Sequence, residues 1–373
     1  MKHLKTHRYF TKIGILSSLI LLYACAPETN KEPAKNTRAT QDTHEKTIMS
    51  ETDRALLEKL KPHFKALPTQ ATSTATNPTT PEKVTLGKML FYEARLSKSG
   101  AISCSSCHSL ATYGVDNRPS SIGHGFQVGG RNSPTVLNAD FNLAQFWDGR
   151  AADLEAQAEG PILNPIEMAM PDEASAVKRL SSIPEYISAF KQAFPEEKTA
   201  LNYKNIARAI ASFERTLITP APIDAFLNGD GKALNTEAKE GAALFVDHGC
   251  IACHSGTGIG GGSYQKFGLI KPYESKDAGR FDLTKKESDR AVFKVPTLRN
   301  VTHTYPYFHD GKVWDIHEAV KIMGQTQLGK DIPDDEIKKI VAFLDSFTGK
   351  LSAESKTLPI LPASTSTTPH PEI

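Results

Sequence analysis

The sequence has no surplus of either charge: 44 Lys and Arg stand against 42 Asp and Glu, a formal net charge of +2. That leaves no electrostatic footprint for nucleic acid. It also lacks an apolar run of the ~20 residues that a membrane span requires. No stretch alternates apolar and polar residues as a half-buried strand would, so a β-rich fold has no support. Cysteine is scarce, with five in 373 residues.

The main apolar stretch lies at the start, where the basic "MKHLKTHRYFTK" runs into "IGILSSLILLYAC". A charged segment followed by about a dozen apolar residues is a secretion leader, too short to span a bilayer. It ends in Leu22-Tyr23-Ala24-Cys25, which resembles a bacterial lipoprotein processing box. Residues 1–24 are therefore expected to be removed. A lipid on Cys25 would hold the protein to a membrane surface on the periplasmic side. Cleavage of a plain secretion signal nearby is the alternative. Residues 25–81 read as anchor linker and polar segment, with the Thr- and Pro-rich "PTQATSTATNPTTP" at its end. The tail, 351–373, finishes in "LPASTSTTPHPEI" and reads as disordered.

Four cysteines remain. In an exported protein they would ordinarily form two disulfides. Here they stand as Cys104-Ser-Ser-Cys107-His108 and Cys250-Ile-Ala-Cys253-His254. In C-x-x-C-H, two thiols bond covalently to a haem and the adjacent histidine reaches its iron. A thiol redox pair or a zinc site would not require histidine next in both copies. Two covalently bound c-type haems are predicted.

The repeat extends beyond these pentapeptides. "LGKMLF" precedes the first and "EGAALF" the second; "NSPTVLN…QFWDGR" follows the first and "KVPTLRN…YFHDGK" the second. Asp148-Gly149 thus matches Asp310-Gly311, and duplication is the economical reading. Helical stripes run through Ile206, Ile210, Phe213 and Leu217, and through Ile337, Ile340, Val341, Leu344 and Phe347. These features predict an all-α chain of two tandem cytochrome c-like domains, residues 82–222 and 223–350, with an interface between them.

The copies differ where a second iron ligand is needed. Met323, in "EAVKIMGQTQLG", suits the C-terminal haem, and a thioether there raises its potential. Carried back by the repeat offset, that position falls on Pro161, which cannot bind iron. An alignment slip would substitute Met168 or Met170. Otherwise the N-terminal haem has an open face or a ligand from elsewhere. His124, between glycines in "SIGHGFQVGG", is the candidate: a loop imidazole able to close over the iron and leave it.

Over about residues 80–350, "LSKSGAISCSSCH", "GGRNSPTVLNADFNLAQFWDGRAADLEAQAEGPILNPIEM" and "VPTLRNVTHTYPYFHDGKVWDIHEAVKIMGQTQLG" resemble the bacterial dihaem cytochrome c peroxidases. The resemblance implies a low-potential peroxide-binding N-terminal haem and a high-potential His/Met C-terminal haem that accepts electrons. It implies that His124 caps the first iron until the second haem is reduced. It assigns Gln157 and Glu167 to the pocket over that iron and Trp147 to the electron route, with His309 near the haem junction. Asn132, Thr304 and Pro306 would hold a calcium ion between the domains. The implied reaction is H2O2 + 2 e⁻ + 2 H⁺ → 2 H2O, with Glu167 moving the proton. A small cytochrome c or cupredoxin would supply electrons, and family members are commonly homodimers. Two rivals are a non-catalytic dihaem carrier, disfavoured by Pro161, and a protein-oxidising enzyme of the methylamine-utilisation type. The latter has tyrosine where this chain has Met323.

Overall fold

The computed structural model describes residues 49–372. The leader, Cys25 with its expected lipid and the first part of the polar segment lie outside them.

Helix α1 (Glu51–Leu60) comes first. The N-terminal half then runs through α2 (Pro81–Phe91), α3 (Cys104–Cys107), α4 (Leu154–Leu163), α5 (Glu173–Ser181), α6 (Pro184–Ala193) and α7 (Tyr203–Glu214). The C-terminal half holds α8 (Pro222–Leu227), α9 (Thr236–His248), α10 (Phe281–Thr284), α11 (Ile316–Met323) and α12 (Asp334–Asp345), and α13 (Ala353–Lys356) begins the tail. The one sheet among the described residues pairs β1 (Tyr264–Lys266) antiparallel with β2 (Val292–Lys294). Strands of three residues are too short to leave an alternation in the sequence.

The repeat is visible as two matching helix crossings. In the first half α2 crosses α7; in the second α9 crosses α12. Each crossing is closed by the glycine of the repeated hexapeptide. A Cβ on Gly87 would lie 1.9 Å from the Ala209 carbonyl oxygen, and one on Gly241 would lie 1.8 Å from that of Lys339. The helix starts are matched too. The Thr80 hydroxyl accepts from the Lys83 N–H and the Asn235 amide oxygen from the Ala238 N–H. Around these crossings the expected stripes are buried: Ile206, Ile210, Phe213 and Leu217 in one half, Ile337, Ile340, Leu344 and Phe347 in the other. Val341 is only partly buried. Burying each such side chain is worth roughly 1.5–3 kcal/mol.

Both ends depart from the sequence reading. Segment 49–67 is not a linker: Leu57, Leu60 and Phe64 join the C-terminal core. Phe64 lies 6.1 Å from the rings of both Phe245 and Phe343. The Thr-rich stretch behind it docks on the N-terminal half, where buried Asn77 donates to the Glu155 carboxylate at 2.7 Å and the Arg208 carbonyl at 2.9 Å. The tail, expected to be disordered, also lies on that half. Arg95 donates to the Pro362 carbonyl at 2.8 Å, Thr365 to that of Ser182 at 3.0 Å, and the Glu372 N–H to that of Lys98 at 3.0 Å. Hydrogen bonds rather than apolar periodicity order these residues, so composition does not reveal it. The first helix of the described residues thus straps the C-terminal half and the tail straps the N-terminal half.

The halves meet about a pseudo-twofold. Asn138 and Asn300, both in the left-handed region, each donate to the Thr219 hydroxyl, at 2.7 and 2.9 Å. Nearer the sites, the Asn132 N–H donates to the His309 carbonyl and the Lys294 N–H to the Trp147 carbonyl, both at 2.8 Å.

Candidate haem sites and their junction

In the N-terminal site, Cys104 and Cys107 lie on the single turn of α3, with His108 ending it. His108 Nδ1 lies 3.2 Å from the Ser133 hydroxyl and 3.3 Å from the Gly114 carbonyl oxygen, so its other nitrogen is the one left for a metal. In the C-terminal site Cys250, Cys253 and His254 follow α9 directly. Burial lowers the pKa of both histidines, His254 to about 4, and outweighs the opposing backbone contacts, first of Gly114 for His108 and of Ile259 for His254. Both are held neutral, as a metal-ligating imidazole must be. All four cysteines are unpaired with one another. Burial raises the thiol pKa of each, Cys250 to about 11, which argues against a redox-active thiolate.

The cavities of the two halves are unlike. A cavity of about 330 Å³ is lined by Cys250, Cys253, His254 and Met323, the last residue of α11. His254 and Met323 therefore share one chamber. The counterpart, Pro161, sits inside α4 and lines a separate cavity of about 230 Å³ with Phe146, Arg150, Asn164 and Glu167. Met168 and Met170 are packed into the N-terminal core and do not line it. Gln157 lies one turn before Pro161 on α4, outside the lining.

His124 stands at the tip of a small hairpin closed by the Ile122–Val128 bridge. Its Nδ1 is buried without a hydrogen-bond partner among the described residues. Its N–H donates to the Glu167 carbonyl at 2.8 Å, and Gln127 donates to the Pro165 carbonyl at 3.0 Å. The glycines around it do two jobs. Gly123 permits close approach, since a Cβ there would lie 2.0 Å from the Ile166 carbonyl oxygen, whereas Gly125 has open space and a φ of 62°. Beyond it Phe126 is 88% exposed. The loop is thus clipped to the turn that carries Glu167, with its far side free.

Burial raises the Glu167 pKa; the nearby Arg150 guanidinium and a 2.9 Å hydrogen bond from Asn164 oppose this. Sequence reasoning passed over Arg150 and Asn164. Arg150 lies 3.5 Å above the Phe146 ring and donates to Asp148. The only signal was its place in "WDGR", matched by Lys312 in "HDGK", whose side chain is mostly exposed.

At the junction Trp147 donates to the Asn132 carbonyl at 2.8 Å and meets His309 edge to face, 6.3 Å between centroids. His309 is buried, stacks on Phe293 at 4.2 Å and has Nε2 2.8 Å from the Ser275 hydroxyl. Arg131 binds Asp277 through two nitrogens, at 2.6 and 2.8 Å, and Asp148 through the third, at 2.7 Å. Asn132, Thr304 and Pro306 all line the C-terminal cavity at this end. No cluster of three His, Cys, Asp or Glu suited to a metal occurs among the described residues. Nor is any described helix long and apolar enough to cross a membrane.

Residues 81–232 match the family described as di-haem cytochrome c peroxidase, and residues 238–348 match cytochrome c. The cytochrome c551 peroxidase of Pseudomonas aeruginosa is 48% identical over 323 residues, covering 85% of this chain and 92% of that protein. That of Nitrosomonas europaea is 52% identical over 299 residues, 79% and 88% of the two chains. The methylamine utilization protein MauG of Methylorubrum extorquens is 36% identical over 318 residues, 82% and 88%. Among solved structures, a MauG-like protein associated with microbial copper homeostasis superposes with a TM-score of 0.72 at 26% identity, over 79% of this chain and 97% of that one. The chain belongs to the dihaem cytochrome c peroxidase family. It is a peroxidase built from two tandem cytochrome c-like domains, each with a haem c.

Proposed function

We propose that the two sites divide the reduction of hydrogen peroxide. The C-terminal site receives electrons and the N-terminal site handles the substrate. The observation that carries this is the unlike pair of cavities: Met323 stands in one with His254, while Pro161 and Glu167 stand in the other. Each haem supplies a redox-active iron, which no side chain can replace.

The protein's part is gating and proton handling. His124 covers the N-terminal site at rest and leaves it when the C-terminal site is reduced, a shift between two loop states. Little holds the loop beyond its backbone bond to Glu167 and the Gln127 contact. With the loop away, Glu167 would take a proton from one oxygen of the peroxide and return it to the departing one. Its half-buried carboxyl suits this exchange, and the Asn164 amide orients it. The balance is H2O2 + 2 e⁻ + 2 H⁺ → 2 H2O. Gln157 joins this pocket in the open state. Trp147, between the halves, supports passage of electrons from one site to the other.

The donor is a small cytochrome c or cupredoxin of the periplasm, and the enzyme is a homodimer held at the membrane by a lipid on Cys25. A calcium ion sits at the junction on Asn132, Thr304 and Pro306. Oxygen donors of this kind suit a hard cation. The Asn132 amide nitrogen is occupied by the Arg118 carbonyl, which leaves its oxygen for the ion.

The test is His124→Gly. It should give an N-terminal haem with an open face and turnover without prior reduction. An unchanged six-coordinate spectrum overturns the gating.

A further inference from the structure

β2 ends on Lys294, whose N–H reaches across the junction to Trp147. The residue is 6% exposed and has no ion pair among the described residues. Buried lysines are ordinarily paired, because an isolated ammonium away from water is costly. Burial alone pulls its pKa down to about 8, with no carboxylate opposing. Among the described residues the C-terminal cavity is lined by no aspartate and no glutamate, and Lys294 is its single lysine or arginine. Its pseudo-twofold counterpart, Asn132, is neutral. The repeat therefore places one cation without a carboxylate partner on the wall that also holds Cys250, Cys253, His254 and Met323. A haem brings two propionate carboxylates into whatever site receives it, and this cavity offers them no other cationic side chain of that strength.

We propose that Lys294 is the counter-ion of a propionate of the C-terminal haem and helps set that haem's reduction potential. A fixed positive charge beside a haem favours the form with the extra electron. The inference rests on haem binding at the C-terminal site and not on the peroxide chemistry of the other, so the two fail separately.

The experiment is a spectroelectrochemical and EPR titration of the two-haem enzyme and its Lys294→Met and Lys294→Arg variants. Loss of the ammonium should shift the C-terminal reduction equilibrium about tenfold toward the oxidised form, about 59 mV lower for one electron. Lys294→Arg should stay within about threefold of wild type, and the N-terminal haem should not move. An unmoved C-terminal potential in Lys294→Met, or an equal shift at both haems, overturns the assignment. Resonance Raman on the wild-type enzyme provides a check that no variant can spoil. The propionate bending bands of the C-terminal haem should respond to exchange into D2O, and a lack of response also overturns it.

Discussion

The two halves share a helix crossing, a closing glycine, a capped first helix, a C-x-x-C-H turn and a left-handed asparagine at the junction, and part most clearly where a second iron ligand would stand. Met323 ends α11 in the C-terminal cavity, while the equivalent Pro161 sits inside α4 and lines the smaller cavity with Glu167. Everything common to the halves builds the haem seat. On the proposed reading, the features that differ control what reaches the metal: loss of one ligand from a duplicated seat would leave one site clamped and the other gated, with the shared junction tying their states together.

The largest effect expected of breaking this contrast is at Glu167. Glu167→Gln keeps the size and the Asn164 bond but removes the base. The rate constant for peroxide turnover should fall roughly 10²–10⁴-fold, read in stopped-flow with the pre-reduced enzyme, while both haem spectra stay as in wild type.

Next come the elements that hold the halves. Phe64→Ala should cost about 3–5 kcal/mol, since the ring sits among Phe245, Phe343 and Phe347. The loss should appear in denaturant unfolding of the C-terminal half, with the N-terminal haem spectrum unchanged. Gly87→Ala and Gly241→Ala should each cost about 1–3 kcal/mol. The repeat predicts similar losses in Tm for the two. A large loss from one alone breaks the symmetry claimed for the crossings.

The smallest effect concerns pH. Burial pushes the carboxyls of Asp148 and Asp277 up, but their arginines prevail: Arg150 and Arg131 for Asp148, Arg131 for Asp277. Both therefore lie below the ordinary carboxylate range. Such groups stabilise the fold fully above the unfolded pKa of about 4 and lose that contribution as pH falls through the depressed values. Acid titration of Arg131→Leu should show a weaker loss of stability below pH of about 4 than wild type. Identical acid limbs would show that the clamp contributes nothing.

Much of this was legible because covalent haem attachment demands fixed residue types at fixed spacing, and duplication shows any departure. His108, His254, Met323, Pro161 and His124 all follow from that. The role of Gly123 was read as flexibility, and only its distance to Ile166 shows close approach. Helix α1 had its signal, with Leu56, Leu57, Leu60 and Phe64 at helical spacing, but it was hidden in a segment judged by its polar neighbours. The tail and the Thr-rich stretch are held by hydrogen bonds to backbone and to buried Asn77, which leave no periodic trace. Arg150 was missed because an arginine after Asp-Gly is usually solvated, and its stacking on Phe146 is a tertiary contact.

The central claim is that one site opens while the other stays clamped. Its most direct test is cyanide binding to the half-reduced enzyme, followed by EPR and visible spectroscopy. The account predicts that cyanide is taken up at the N-terminal haem alone, with the C-terminal His254/Met323 signature unchanged. Uptake at the C-terminal haem, or at neither, would contradict it.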